Sequence, residues 1–243
     1  LSGKDLQLSK NYKNELITIN EKGFLREVKI ANLMISPLEY NPITNQLLVH
    51  DNIKIRVHFD NANIELTNQE KSNAYSTYFE PIFNNALANY TSIQSTREND
   101  FVEDVVSYII VSDPSFADSL EPLMEWKTKK GFMVVEGYTN DPLVGNTATS
   151  IHAYLKNMYD NATLADPAPT YLLIVGDNAE IPSFNTGSHV SDMYFCEFDG
   201  GGDFYPEMYY GRFSATTVAQ VEVQVNKTLT HEQYTFTDPS FLD

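Results

Sequence analysis

The 243-residue chain has a formal net charge of −17 at pH 7, and 42% of its residues are hydrophobic. This length and apolar content predict a packed globular protein, with two modest domains favoured over one large one, and exclude disorder of the whole chain. Residues 1–100 carry 10 basic and 12 acidic side chains, whereas residues 101–243 carry 6 and 21. An acidic second part argues against a nucleic-acid partner and attracts divalent cations.

The only cysteine, Cys196, cannot form a disulfide within the chain. By itself this favours a reducing compartment, although the inference is weak for a chain of this size. No run of about 18 apolar residues occurs, so no membrane span is predicted. The chain starts at Leu1 without a signal peptide, and its last residues resemble the lead-in to another strand. We therefore expect an excised piece of a longer protein, in which a missing targeting signal has little weight.

Residues 1–97 predict a β-rich region that ends in a helix. Short apolar or alternating runs are separated by turn signals, and the alternation over residues 47–59 predicts a strand with one buried face. From Lys71 to Leu87 apolar residues recur every three or four positions, which predicts one amphipathic helix. Residues 91–103 lose this periodicity and predict an exposed connection. We place the domain boundary there, and Arg97 would be an accessible cleavage point in it.

Residues 104–243 predict an α/β region. The predicted strands are residues 105–111, 132–138 and 170–175, and the predicted helices follow Asp113, cover residues 151–158 and begin at Ser214. This order predicts parallel strands with crossover helices, whose ligands gather beyond the carboxyl ends of the strands. Asp113 and Asp177 lie at such ends. The proline after Asp113 indicates a helix cap. The residues after Asp177 do not predict a helix, so for Asp177 a functional role, as a ligand or in a site wall, and a purely structural role remain equally open.

Residues 199–207 (DGGGDFYPE) set three carboxylates around three glycines, with Asp199, Asp203 and Glu207 evenly spaced. Calcium takes about 6 to 8 oxygen ligands from such groups, and glycine allows the tight turn that a chain around an ion requires. A solvated acidic turn is the alternative, and spacing alone slightly favours it. Residues 192–198 and 208–213 predict paired strands that flank this loop, which would make it a hairpin.

Cys196 and His189 are close in sequence, so a thiolate and imidazole pair has to be considered. We disfavour it, because Cys196 lies between apolar residues where a buried, inert thiol is the ordinary case. No Walker loop, no Gly-x-Ser-x-Gly and no His-Glu-x-x-His motif is present. The residues alone therefore show no complete catalytic constellation.

Several segments in one order nevertheless resemble a known family. They are residues 120–132 (LEPLMEWKTKKGF), 144–151 (VGNTATSI), 168–177 (APTYLLIVGD), 190–194 (VSDMY) and 203–215 (DFYPEMYYGRFSA). Together they resemble the gingipain family of secreted cysteine endopeptidases. Residues 35–45 (ISPLEYNPITN) and 78–82 (YFEPI) look like the end of the propeptide that precedes the peptidase domain in this family.

The resemblance implies a caspase-like α/β fold of two subdomains, of which residues 104–243 match the first. The nucleophilic cysteine and its histidine belong to the second subdomain, so this piece should be inactive alone, and its partners would be that subdomain and, for the intact enzyme, a peptide substrate. The resemblance also implies export to the bacterial surface or medium, and a structural calcium bound by Asp199, Asp203, Glu207 and the Tyr205 carbonyl. We add Asp177 as a further candidate ligand. Three glycines separate the two aspartates here where close relatives have fewer, which puts joint binding by both in doubt.

Two other functions remain open from the sequence. The parent protein could be an inactive relative or a surface adhesion module on the same scaffold. A receiver-like signalling domain, with Asp113 or Asp177 as phosphoacceptor, would fit the α/β alternation. The β-rich first 60 residues do not fit a receiver, so we favour the peptidase interpretation.

Overall fold

A computed structural model describes residues 15–41, 43–90, 105–200 and 202–237. Within these residues, the first region consists of β1 (Ile17–Leu25), β2 (Val28–Ile35), β3 (Leu38–Asn41), β4 (Gln46–Val49), α1 (Ile64–Asn73) and α2 (Glu80–Ala86). β1 pairs with β2 and β3 with β4, both antiparallel. The predicted antiparallel β-structure is confirmed. The predicted boundary at residues 91–103, with Arg97, lies outside the described residues.

The predicted strand over residues 47–59 is wrong beyond its start. β4 ends at Val49, and residues 53–59 form no strand. All four residues of β4 are exposed, so no packing layer among the described residues covers the alternating apolar side chains. Alternation predicts a strand only where a second layer covers one face.

The predicted single helix from Lys71 to Leu87 is also wrong. The described chain has α1, which ends at Asn73, and α2, which begins at Glu80, with a turn around residues 77–79 between them. Pro81 lies in the first turn of α2, where its missing N–H costs nothing, whereas in the interior of one long helix it would remove a hydrogen bond and clash with the preceding turn. The apolar spacing instead reflects Phe79 and Phe83, which are buried with Leu25 of β1.

The second region is an α/β sheet, as predicted. Its elements are β5 (Val106–Ser112), α3 (Ala117–Lys129), β6 (Phe132–Tyr138), α4 (Ala148–Asp160), β7 (Tyr171–Val175), β8 (Phe184–Asn185), β9 (Val190–Ser191), β10 (Tyr209–Phe213) and α5 (Val218–Glu232). β10, β7, β5 and β6 form one sheet in that order, and every pair in it is parallel. β8 and β9 form a separate small hairpin.

Helices cover both faces of this sheet. Alternate side chains of a strand point to opposite faces, so Ile109 of β5 packs in one cluster with Ile151 and Leu155 of α4. The neighbouring Ile110 packs in a second cluster that contains residues of α3 and α5. The apolar β-branched runs that predicted β5 and β7 are therefore buried on both sides, as parallel strands require.

Two predictions around β10 need correction. Residues 192–198 form no strand but a short 3-10 turn at Met193–Phe195, and β10 pairs in parallel with β7. The predicted hairpin is therefore wrong, because the exposed edge of β7 offers β10 a complete ladder of partners. Ser214 does not begin the last helix, since the Thr217 side chain accepts the hydrogen bond that caps α5. The Asp113 cap is confirmed by its bond from the Ser115 amide, at 2.9 Å.

Candidate functional site

The acidic loop lies at the amino end of β10. The Glu207 amide donates to the Cys196 carbonyl at 2.7 Å, which joins the two ends of the loop. Gly200 and Gly202 have φ of 63° and 101°, a conformation that other residues adopt only with strain. The turn that the sequence predicted from its glycines is therefore present.

The loop carboxylates bind backbone amides of the first region. Asp203 accepts hydrogen bonds from the Tyr205 amide at 2.9 Å and from the Phe24 amide at 2.6 Å. Glu207 is fully buried, and its Oε2 accepts from the Arg26 amide and from the Tyr159 hydroxyl. Asp203 therefore contacts the end of β1 and Glu207 contacts the turn that follows it, and no sequence pattern predicted either contact.

The electrostatics of this group are unusual for carboxylates. Burial raises the pKa of Glu207 to about 8; its hydrogen bond with the Arg26 amide and the Arg26 charge act against this, and the Asp199 charge adds to it. Burial also raises the pKa of Asp199, whose carboxyl lies within hydrogen-bonding reach of Glu207. Glu207 Oε1 is buried and has no hydrogen-bond donor among the described residues when both carboxyls are ionised. A proton or a cation would satisfy it.

Arg26 is a buried residue beside this loop that sequence reasoning missed. Its side chain is 2% exposed, and it lies in the turn between β1 and β2 with a φ of 49°. Its guanidinium lies over the rings of Phe79 and Tyr159, at 4.9 and 5.8 Å from their centroids. The guanidinium donates to the carbonyl oxygens of Ala74, Ala168, Pro169 and Glu207. A single arginine in a polar turn carries no sequence signal of burial, because only the folded chain brings these four carbonyls together.

Two family patterns match the chain in series. The propeptide pattern of family C25 matches residues 2–96, and the pattern of peptidase family C25 matches residues 102–241. The chain belongs to peptidase family C25. Membership in this family replaces the receiver-like alternative, and Arg26 accordingly lies in the propeptide region and Glu207 in the peptidase region.

Known members of the family are similar over most of the chain. Lys-gingipain of Porphyromonas gingivalis is 33% identical over 232 residues, which cover 94% of this chain and 13% of the relative. Gingipain R2 of the same species is 27% identical over 241 residues, covering 99% of this chain and 32% of the relative. This C25 chain therefore spans between about an eighth and a third of the length of these relatives.

The fold class also agrees with solved structures. A structure described as a protease superposes with a TM-score of 0.52 and 34% identity, over 56% of this chain and 30% of its own. The parallel sheet with flanking helices, preceded by a β-rich region, agrees with the caspase-like α/β class that the sequence predicted. Among the described residues, no helix of this C25 chain is long and apolar enough to cross a membrane.

The structure does not bring together all the predicted metal ligands of this C25 chain. Asp199, Asp203 and Glu207 are neighbours in the loop, and the Tyr205 ring packs against the cluster around Phe79. Within the described ranges, however, no three Asp, Glu, His or Cys side chains are arranged to hold a metal ion. Each oxygen of Asp203 accepts one backbone amide, from Phe24 or from Tyr205, and keeps a further lone pair.

Asp177 lies apart from this group. It follows β7 at the carboxyl end of the sheet, where its side chain accepts from the Asn178 amide at 2.8 Å. Glu207 precedes β10 at the amino end, and a five-residue strand spans about 13 Å between the two ends. One ion cannot bind both residues.

The thiol and imidazole of the peptidase region form no catalytic pair. Cys196 is fully buried, and burial raises the pKa of its thiol well above the ordinary value, with the charges of Glu207 and Asp192 adding to the effect. The His189 ring is exposed and contacts the Tyr194 hydroxyl at 3.0 Å. The prediction of a buried thiol is confirmed, and Cys196 has neither the access nor the ionisation that a nucleophile needs.

Proposed function

We propose that this chain is the propeptide end and the first, non-catalytic subdomain of an exported, calcium-stabilised, gingipain-like cysteine endopeptidase, and that it is inactive alone. The observation that carries this proposal is the match of a C25 propeptide and a C25 peptidase pattern in series, in a chain whose only cysteine is buried. The intact enzyme would cleave peptide bonds by thiolate attack, with a histidine as general base and acid. Both groups would come from the rest of the parent protein.

Inactivity is tested by two measurements on the folded chain. Incubation with fluorescently labelled casein, in reductant and calcium, is expected to release no peptide. Iodoacetamide is expected to modify Cys196 only after denaturation, because a buried, protonated thiol is a poor nucleophile. Turnover of casein that disappears in Cys196→Ser would contradict the proposal, whereas turnover that persists in this variant would identify a contaminating protease.

The calcium part of the proposal concerns Asp199, Asp203, Glu207 and the Tyr205 carbonyl, without Asp177. The donor types suit calcium, because three carboxylates lie in one glycine-rich loop and Glu207 Oε1 is buried without a donor. Among the residues that the structure describes, their present arrangement does not form a metal site, so the loop would have to rearrange around the ion. An ion at this place would neutralise the repulsion between Asp199 and Glu207. Its role would be structural, since it would hold the loop that precedes β10.

Calcium binding is tested by thermal unfolding in millimolar calcium and in chelator. A ligand that binds only the folded state stabilises it by mass action, by about 2.7 kcal/mol at a hundredfold excess over the dissociation constant. We expect a rise of several degrees in melting temperature for the wild type and none for Asp199→Asn. An equal response of both proteins, or of neither, would contradict this site.

A further inference from the structure

The propeptide and peptidase regions meet around one buried cation. Arg26 comes from the propeptide region, whereas three of the carbonyl oxygens that bind its guanidinium belong to the peptidase region: Nη1 donates to Pro169 at 2.8 Å and to Glu207 at 2.6 Å, and Nη2 donates to Ala168 at 3.1 Å. The fourth acceptor is the Ala74 carbonyl of the propeptide region. We call these four carbonyls, with the rings of Phe79 and Tyr159, the arginine socket.

We propose that the peptidase region carries a binding site for an arginine-bearing turn, and that Arg26 in this site holds the propeptide region on the peptidase region after the connection between them is cut. This use of the socket is separate from catalysis and from calcium binding. It rests on the contacts of Arg26 and its turn and on membership in family C25.

The chemistry of the socket selects arginine. Carbonyl oxygens approach the guanidinium from several directions in its plane, and aromatic rings lie over its faces. A planar fork of five donors fits this arrangement, whereas a lysine ammonium has three donors on one nitrogen and cannot reach the same set. Burial of the cation lowers the pKa of Arg26, and the nearby hydroxyl of Tyr159 and the Glu207 carboxylate act against this.

The backbone of the turn is bound as specifically as the side chain. The amides of Phe24 and Arg26 donate to Asp203 and Glu207 of the peptidase region. Gly23 has a φ of 144°, and a Cβ at this position would overlap the Asp203 carboxylate. The peptidase region thus recognises a glycine, two amides and a guanidinium within residues 23–26, at the end of β1 and the start of the turn.

The propeptide region presents this turn ready for binding. The Ala74 carbonyl and the Phe79 ring, both from the propeptide region, hold the guanidinium on one side. The same segment is attached to the peptidase region by a hydrogen bond from the Thr170 hydroxyl to Ser76, at 3.0 Å. Because less side-chain freedom remains to be lost on docking, such preorganisation strengthens binding.

The test uses the full chain with a recognition sequence for a site-specific protease inserted between Arg97 and Glu98. The folded protein is cut, and the two pieces are followed by gel filtration at decreasing concentration. We expect the wild-type pieces to co-elute. For Arg26→Lys and Arg26→Gln we expect a dissociation constant at least tenfold higher, because truncation of a buried central arginine in an interface has a large cost.

The matched control is Lys22→Gln, which removes one positive charge from an exposed position on the same hairpin and should change the dissociation constant less than twofold. Gly23→Ala keeps Arg26 but places a Cβ against Asp203, and we again expect a dissociation constant at least tenfold higher. Helical circular dichroism before cutting identifies variants that have not folded. Separation of the wild-type pieces, or equal retention by wild type, Arg26→Lys and Gly23→Ala, would overturn the proposal.

Discussion

Glu207 shows how one residue changes its chemistry with its surroundings. In the sequence it is one of three evenly spaced acids in a polar loop. In the structure it has no exposed surface, accepts hydrogen bonds at Oε2, and lies close to a second carboxyl. Removing a carboxylate from water favours its neutral form. A proton on Glu207, or a cation beside it, would therefore be favoured in this loop.

The first prediction concerns the pH dependence of stability through Glu207. Its pKa is raised from 4.5 in the unfolded chain to about 8 in the folded one. The stability from its neutral form is therefore fully present below pH 4.5 and is lost as the pH rises through 8. In chelator, we expect the melting temperature of the wild type to fall by several degrees relative to Glu207→Gln between pH 6 and pH 9. If the melting temperatures of the two proteins changed with pH in parallel, the pKa of Glu207 would not be raised by folding.

At the residue scale, the sequence could predict groups but not their partners. The glycines around Asp199 and Asp203 predicted a tight turn, because positive φ is a local property of the backbone. The contact between Glu207 and Arg26 joins residues 181 positions apart, and nothing local to either residue indicates it. Cys196 was predictable as buried because its apolar neighbours are adjacent in the chain.

At the element scale, α3 and α5 are joined by a charged contact beside their apolar one. Glu232 of α5 accepts from Lys127 at 2.6 Å, from Lys130 at 3.0 Å and from the Trp126 indole at 2.9 Å. Burial alone would raise the pKa of Glu232, but these hydrogen bonds outweigh it and lower the pKa to about 2. The last turns of both helices are thereby fixed to each other.

The second prediction is that Glu232→Gln lowers the free energy of unfolding by roughly 2 kcal/mol near neutral pH, because it leaves the buried ammonium of Lys127 without a charged partner. The folded pKa of Glu232 lies below the unfolded value, so its contribution is present above pH 4.5 and is lost as the pH falls towards 2. Denaturant titration at several pH values measures the difference.

Glu125→Gln is the control for this experiment. Glu125 pairs with Lys129 on the exposed face of α3, at 3.2 Å, and such surface pairs contribute about 0.5 kcal/mol or less. If both variants lost a similar amount of unfolding free energy, the change in net charge, rather than the contact between the helices, would explain the effect.

In the α/β region, the strands that sequence reasoning recovered most completely are those covered on both faces. β5 and β7 have apolar runs, and α4 has an apolar stripe, because the sheet is packed on both sides. The errors fall where tertiary contacts replace local pattern. The spacing of Phe79 and Phe83 predicted one helix, but these residues are spaced to pack against β1. β10 pairs with β7, which is distant in sequence, and nothing in the residues adjacent to β10 indicates this pairing.

At the scale of the whole molecule, the propeptide region lies against the amino ends of the parallel strands. Residues 73–79 contact the chain just before β7 and β10, through hydrogen bonds to Asn73, Ser76 and Tyr78. The carboxyl ends, where open α/β sheets place their ligands, are at the opposite edge. Among residues 15–41 and 43–90, the hydrogen bonds named here hold the propeptide region at the amino ends of the strands and not at the carboxyl ends of β5 and β7.

The third prediction follows from the unequal attachment of the two hairpins in the propeptide region. β1 and β2 carry the turn that binds the socket, whereas every residue of β4 is exposed. Amide exchange follows local opening, which is rare for packed segments and frequent for exposed ones. In hydrogen–deuterium exchange we expect β1 and β2 to exchange at least about tenfold more slowly than β3 and β4.

Arg26→Gln is expected to remove this difference without affecting β5, because the hairpin would lose its anchor while the sheet core remains packed. Lys22→Gln, on the exposed side of the same hairpin, is expected to leave both rates unchanged. If β1 and β2 kept their protection in Arg26→Gln, the apolar packing of Leu25 would be sufficient to hold the hairpin. If β5 also lost protection, Arg26 would stabilise the whole fold and not only the contact between the propeptide and peptidase regions.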